Sequence, residues 1–216
     1  MTLSAEERAR IEEAVRRAES ATSGEIVPYV VPRSSTYQLA VWRAGATGAA
    51  LAAVFLLAFV WLYGGWGYAW LLTSWGAISV MVAATAVSGA LAAVARPVRR
   101  WFTGSAVVET AVHQRAMQAF LEEEVFATRD RTGILVFVSL AERRIEVIGD
   151  AGINAAVDSE DWSGIVRLLQ DRIREGRLAD GLVEAIGRCG DLLVRKGLEI
   201  APDDRDELEN RLRMGE

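Results

Sequence analysis

Residues 44–95 contain no Asp, Glu, Lys or Arg, and a glycine-rich segment at residues 64–67 interrupts this apolar run. A helix rises about 1.5 Å per residue, so about twenty apolar residues are enough to cross a bilayer core. Helices also satisfy their own backbone hydrogen bonds inside lipid. We therefore predict a membrane hairpin whose two spans are residues 44–63 and 68–95, joined by a tight turn at the glycines.

The alternative is a pair of helices buried in the core of a soluble protein. The chain is 51% hydrophobic, but its apolar residues are concentrated in this one block. A helix that packs one face against the core of a soluble domain carries a polar stripe at helical spacing on its other face. Residues 54–62 carry no such stripe. The pattern favours the membrane hairpin.

Cations flank the predicted spans on both sides. Arg33 and Arg43 precede the first span, Arg96, Arg99 and Arg100 follow the second, and the connecting turn is uncharged. The positive-inside rule then predicts that both termini and the soluble part are cytoplasmic, at the inner (cytoplasmic) membrane. The formal net charge of −5 belongs to the soluble part, and we expect no nucleic-acid partner.

The flanking segments alternate between helical and strand patterns. Ser4 and Glu7 form a predicted capping box, Pro28 indicates an edge strand or a bulge, and Ser159 is the predicted cap of a later helix. The predicted helices are residues 5–21, 105–128, 160–175 and 179–196, and the predicted strands are 25–31, 134–139 and 145–150.

The first helix and strand cannot bury their apolar faces alone, so they need the sheet made by residues 133–149. Both pieces must then lie on the same side of the membrane, which requires an even number of crossings. We predict a split soluble domain of residues 1–36 and 105–200, interrupted by a hairpin at residues 39–96. Residues 201–216 are predicted to be a charged tail that forms a short helix or a frayed end.

Four segments of the soluble part together resemble the TPM domain family. They are TSGEIVPYV at residues 22–30, DRTGILVFVS at 130–139, RIEVIGDAGI at 144–153 and GRLADGL at 176–182. The resemblance implies an α/β fold, an α/β/α sandwich around a small mixed sheet, with the membrane hairpin as an insertion after the first strand.

The family has no single chemistry. One member, in plant thylakoids, is associated with weak acid-phosphatase activity and photosystem repair, and another is an accessory subunit of an animal neurotransmitter receptor. Some members bind calcium through acidic loops at the sheet edge. Membership of such a family therefore does not by itself select an enzymatic function.

Acidic residues at the strand ends are the candidate metal ligands: Asp130, Asp150, Asp158 and Asp161. If the fold brings them together, their carboxylate oxygens could hold Ca²⁺ or Mg²⁺, although no cofactor is certain. Such an ion could polarise a phosphoryl oxygen. The alternative is that these residues are ordinary turn residues and helix caps. Arg131 departs from the calcium-binding relatives and places a cation beside the proposed site.

The remaining single residues, and the small-residue faces of the two spans, are expected to have packing roles. His113 has no partners spaced for a zinc site and is expected on a helix surface or interface, and Cys189 is expected in the core. Small residues could pack the spans within one hairpin or between chains of a homo-oligomer: Gly45, Gly48, Ala49 and Ala52 in the first span, and Thr85, Gly89 and Ala93 in the second. The spans carry no ionisable residue, which argues against transport.

The leading hypothesis is a membrane-tethered cytoplasmic TPM-like interaction module, an accessory protein that supports other membrane proteins. The alternative is a weak metal-assisted phosphatase of the TPM type that uses Asp130 and Asp150. The lipid bilayer is a partner in either case.

Overall fold

The computed structural model describes residues 3–63, 73–198, 200 and 207–215. These residues form two compact units. The first combines Met1–Ser35 with Glu109–Glu216, and the second is Thr36–Val108.

Helices and strands alternate along the first unit. Its helices are α1 (Ala5–Glu19), α5 (Ser105–Glu122, which starts within the second unit), α6 (Ala151–Ala156), α7 (Ser159–Arg174) and α8 (Leu178–Arg195). Its strands are β1 (Glu25–Val31), β2 (Gly133–Ser139), β3 (Arg144–Gly149) and β4 (Arg213–Met214). The second unit contains α2 (Gln38–Tyr63), α3 (Ser74–Val94) and α4 (Arg96–Thr103).

The described strands form one mixed sheet in the order β3-β2-β1-β4. β1 runs parallel to β2, with Glu25 opposite Gly133 and Val31 opposite Ser139. β2 and β3 form the antiparallel hairpin that the sequence predicts, with Ile134 opposite Gly149. Every residue of β2 is buried, as its continuous apolar run indicated.

Helices cover both faces of the sheet, because alternate residues of a strand point to opposite faces. Ile26, Val30 and Val136 join one core with residues of α1, α7 and α8. On the other face, Tyr29 stacks on Phe137, and α5 covers this face with its buried residues Val112, Ala116, Ala119 and Phe120. The predicted α/β/α sandwich around a small mixed sheet is confirmed.

Several predicted boundaries were wrong for local reasons. The Ser4–Glu7 capping box is present, but α1 ends at Glu19. α5 ends at Glu122 rather than at residue 128, and Glu124 lies just beyond it in a left-handed conformation with φ 52° that a helix does not continue through. α7 is capped by Asp158, and Ser159 is its first helical residue. The short α6 was not among the predicted helices.

Pro28 lies in β1 without a bulge, although β1 is paired on both sides. The Glu25 N–H donates to Thr132 O towards β2, whereas the Ile26 N–H donates to Glu19 Oε1 on the opposite side. Pro28 faces the same side as Ile26, and pairing with β4 begins only at Tyr29. The missing N–H of proline therefore removes no ladder hydrogen bond.

The end of the chain returns to the sheet. Residues 201–206 lie outside the described part, but Arg213–Met214 form β4, parallel to Tyr29 and Val30. The prediction of a helix or a frayed end was wrong for these residues. The reason is a partly buried ion pair: Arg213, with 7% of its side chain exposed, donates from Nε at 2.5 Å to Oε2 of Glu123, whose side chain is 25% exposed.

The second unit contains two helices that are long and apolar enough, by length and composition, to cross a membrane: Gln38–Leu62 and Ser74–Val94. Only 11% and 6% of their apolar windows are buried, which is not the burial of soluble core helices. The first helix starts before the predicted residue 44 and the second starts at Ser74, after the N-cap Thr73. The predicted turn at residues 64–67 lies outside the described residues.

α2 and α3 pack antiparallel through their small residues. A Cβ at Gly48 would lie 2.8 Å from Ala84 O and 2.2 Å from Ser88 Oγ, whereas one at Gly89 would meet Val41 at an ordinary 3.8 Å. The small-residue faces of α2 and α3 therefore pack against each other within one hairpin. A further role between chains stays a prediction.

α3 ends at Val94 with Ala95 as its extended C-cap, close to the predicted end of the span at residue 95. Pro97 follows two residues later and does not prevent a further short helix. It lies in the first turn of α4, where a missing N–H is tolerated. Residues 98–103 are therefore helical, and α4 ends before Gly104, which has φ 74°.

We expect Gly48→Ala to destabilise the hairpin by about 1–3 kcal/mol, because the added methyl group must displace the backbone of α3. Thermal unfolding of the full chain in detergent micelles measures this loss. Gly89→Ala is the matched control and should unfold close to the wild-type temperature. Equal effects of the two substitutions would contradict the packing described for α2 and α3.

We expect Arg213→Met to release β4 and to lower stability by about 3 kcal/mol, because Glu123 is left without its buried partner. Hydrogen exchange reports this at the Gly215 N–H, which donates to Val30 O. Arg211→Met is the control, since Arg211 forms an exposed pair with Glu209. Unchanged exchange at Gly215 in Arg213→Met would show that the ion pair does not hold the strand.

Candidate functional site

The sheet end that carries the predicted acidic residues is assembled by backbone hydrogen bonds. Asp150 follows β3 and Asp130 precedes β2. The Asp150 N–H donates to Gly133 O at 2.9 Å, and the Gly152 N–H donates to Arg131 O at the same distance. A Cβ at Gly152 would lie 2.4 Å from Asp130 O, so only glycine fits this approach. The two strand ends are therefore neighbours.

The Asp150 carboxylate is already engaged by protein groups. Arg131 donates to it from Nε at 2.5 Å and from Nη2 at 3.0 Å, a bidentate pair. The Ala151 N–H donates to its Oδ1 at 2.7 Å, which makes Asp150 the N-cap of α6. The side chain of Asp150 is 7% exposed. Both carboxylate oxygens therefore have partners, and a cation already balances their charge.

Arg131 is positioned for this role by its backbone and by an aromatic ring. Its φ of 58° is left-handed, and its guanidinium lies 5.9 Å from the centre of the Phe126 ring. The hydrogen bond to Asp150 raises the pKa of Arg131 above its ordinary value. The sequence had marked Arg131 as a cation beside the site, and the structure pairs it with the predicted ligand.

The other predicted ligands are caps or surface residues. Asp130 is 60% exposed and lies beside Arg129. Asp158 caps α7, and Asp161 accepts the Asp158 N–H at 3.0 Å. Asp161 also lies 2.6 Å from Lys196 Nζ. The hydrogen bond from Lys196, followed by that from the Asp158 backbone, lowers the pKa of Asp161.

No group of three or more His, Cys, Asp or Glu side chains is arranged to hold a metal ion within the described ranges. The structure thus places the predicted ligands at one sheet end and at a helix start, but does not gather them into a cage. Binding of Ca²⁺ or Mg²⁺ by these residues stays a prediction.

The opposite end of the sheet holds a polar cluster that sequence reasoning missed. Ser139 is fully buried at the end of β2, accepts a hydrogen bond from Ser34 Oγ at 2.8 Å and donates to Glu142. The Ser34 N–H also donates to Glu142, at 3.3 Å. This cluster fastens the β2–β3 turn to the segment that follows β1. In the sequence, the only sign of this cluster is the polar Ser139 at the end of the apolar run of β2. Its partner Ser34 lies more than a hundred residues away along the chain.

The single histidine lies on the surface, consistent with the predicted helix-surface role. His113 is 59% exposed on α5 and forms a contact from Nδ1 to Glu146 of β3. Cys189 is fully buried in the core, and burial raises the pKa of its thiol to about 12.

A cleft of about 370 Å³ lies between α7 and α8, and its walls carry both signs of charge. Its lining residues are Asp161, Gly164, Ile165, Arg188, Asp191, Leu192 and Arg195. Two arginines and two aspartates balance each other, so the cleft favours neither an anion nor a cation.

Together, the mixed sheet, the helices on both faces and the inserted apolar hairpin define an α/β/α domain split by a helical insertion. Comparison with protein families agrees with this architecture. The model of the TPM domain matches residues 103–192. Residues 103–192 therefore match the TPM domain, which confirms the resemblance seen in the sequence for this part of the chain.

Comparison with solved structures found a similar fold in the BA42 protein from the psychrophilic bacterium Bizionia argentinensis, determined by NMR. The TM-score is 0.60 at 21% sequence identity, over 100% of this chain and 97% of that one. At this identity the likeness concerns the fold alone. No curated protein matched the chain.

We expect the ion pair of Asp161 with Lys196 to make stability depend on acid pH. A carboxyl whose pKa is lowered by folding contributes stability that is present above its unfolded pKa of about 3.9 and is lost as the pH falls through the lower folded value. Asp161→Asn should therefore flatten the fall in unfolding temperature below about pH 4. Asp171→Asn, on the exposed face of α7, is the control and should keep the wild-type pH profile. A wild-type profile in Asp161→Asn would contradict the assignment.

Proposed function

We propose that this protein is a membrane-tethered interaction module, in which the α2–α3 hairpin holds a cytoplasmic TPM domain at the inner membrane beside the membrane proteins that it supports. The observation that carries the proposal is the exposure of the apolar residues of both long helices. In α2 alone, Trp42, Leu57 and Trp61 are 74%, 71% and 85% exposed.

Lipid is the environment that suits such surfaces. Removing one Leu or Phe side chain from water is worth about 1.5–3 kcal/mol. Nine large apolar side chains are exposed along α2: Leu39, Trp42, Leu51, Val54, Phe55, Leu57, Val60, Trp61 and Leu62. Their transfer out of water is therefore worth on the order of 20 kcal/mol, which is above the net stability of about 5–15 kcal/mol of an ordinary domain.

The length and polar content of the helices also fit a bilayer. α2 has 26 residues and α3 has 21, and about 20 are needed. The hydroxyls of Thr85 and Ser88 donate to backbone carbonyls of their own helix, so they are satisfied without water. The proposed cytoplasmic orientation is supported by the arginines that flank the two helices and by the uncharged connection at residues 64–72.

A binding role is preferred over catalysis because the carboxylate of Asp150 is already bound by groups of the protein. The residue that the phosphatase alternative requires is bound by Arg131 and by the Ala151 N–H. An ion would have to displace a bidentate guanidinium before it could use this carboxylate.

Cysteine mapping in cells tests the tether. The thiol of Cys189 is buried and has a raised pKa, so the native cysteine should not react with maleimides. Single cysteines at exposed positions then report the side of the membrane: Arg17→Cys in α1, Arg174→Cys in α7 and Ser74→Cys at the start of α3. We expect the first two to react only after permeabilisation and Ser74→Cys to react in intact spheroplasts.

Opposite sides for Arg17→Cys and Arg174→Cys would overturn the hairpin, as would release of the chain from membranes by alkaline carbonate. The interaction role is tested by cross-linking in native membranes, together with hydrolysis of p-nitrophenyl phosphate in Ca²⁺ or Mg²⁺. We expect cross-linked membrane proteins and no turnover. Turnover that disappears in the variant carrying Asp130→Asn and Asp150→Asn would instead support the phosphatase.

A further inference from the structure

One end of the α2–α3 hairpin combines cations with exposed aromatic residues. Because the two helices are antiparallel, the first turns of α2 and the last turns of α3 lie at the same end. α4 follows α3 directly and packs against both α2 and α3. This end therefore carries Arg43 from α2 and three arginines from α4: Arg96, Arg99 and Arg100.

No carboxylate within the hairpin unit balances these cations. All 29 Asp and Glu residues of the chain lie outside residues 26–108. Arg43 is exposed on α2. The hairpin unit is thus purely cationic, whereas the rest of the chain is acidic.

Two tryptophans lie at the same end. Trp42 is 74% exposed and Trp101 is 77% exposed, and the Trp101 ring packs edge-on against Phe102. Tryptophan favours the headgroup level of a bilayer, because its ring is apolar and its N–H is polar. We call the four arginines and two tryptophans the basic collar.

We propose that the basic collar binds the headgroups of anionic phospholipids and so gives the hairpin a lipid preference. This inference rests on the proposed membrane tether. A guanidinium presents a planar fork of donors that matches a phosphate. The two exposed tryptophans at this end of the hairpin favour a lipid surface over an acidic protein segment, since tryptophan prefers the depth at which headgroups lie.

The expected size of the preference follows from surface electrostatics. Each arginine near an anionic leaflet is worth about 1 kcal/mol, or about fivefold in association. Because the attraction is electrostatic, it should weaken as salt shortens the Debye length from about 10 Å at 0.1 M to about 3 Å at 1 M.

The experiment uses the full chain reconstituted in phosphatidylcholine bilayers that contain trace spin-labelled lipid. Electron paramagnetic resonance gives the relative association of spin-labelled phosphatidylglycerol and phosphatidylcholine with the protein. We expect phosphatidylglycerol to be preferred at least fivefold at 0.1 M salt. The preference should fall several-fold in the variant carrying Arg99→Gln and Arg100→Gln, and the wild-type preference should fall in 1 M salt.

The control variant carries Arg8→Gln and Arg17→Gln, which remove two exposed arginines of α1, and it should keep the wild-type preference. Equal association of the two lipids, or an unchanged preference in the collar variant, would overturn the inference. Binding of an acidic peptide by the collar, with no preference between the two lipids, would show a protein site and would also overturn it. Failure of the wild-type chain to insert into either bilayer would contradict the membrane tether itself, so the two failures are distinguishable.

Discussion

The parallel pairing of β1 with β2 joins residues 25–31 to residues 133–139, and the rest of the first unit is built around this pairing. Closing a flexible loop of about a hundred residues costs on the order of 4 kcal/mol in entropy, before any constant term. The antiparallel helices α2 and α3 reduce this entropic cost, because α3 brings the chain back to the end at which α2 began. The insertion therefore separates the two strands in sequence while leaving their pairing accessible.

Polar groups at the ends of the sheet are held by protein partners. Arg131 binds Asp150 at one end, and Ser34 and Glu142 bind Ser139 at the other. Buried polar groups are costly when they lack partners, so these pairs stabilise the loops that join the strands to the helices. The same pairing reduces what the carboxylates can offer to an ion.

Local patterns predicted much of this fold. The Ser4–Glu7 capping box and the β2–β3 hairpin depend on residues only a few positions apart, so they could be inferred directly. α6 could not, because its cap by Asp150 competes with an equally plausible turn at Ala151 and Gly152. β4 was missed for a different reason: two residues carry no strand signal, and Arg213 finds Glu123 only after the chain has folded.

The candidate site could likewise be predicted only in part from the sequence. Asp130 and Asp150 could be placed at one sheet end, because the ends of neighbouring strands meet there. The partner of each carboxylate could not be placed, since side-chain contacts depend on the backbone conformation of Arg131 and on the position of Lys196 at the end of α8.

What the sequence determined alone was the separation of an apolar, acid-free segment from a charged domain, because hydropathy and charge are properties of composition along the chain. It also determined the apolar strand β2, which must be covered on both faces. The tertiary structure decided which small residues of α2 and α3 touch, which cation neutralises Asp150 and where the end of the chain pairs. These contacts join residues far apart in the sequence, and only the folded backbone brings them within hydrogen-bonding distance.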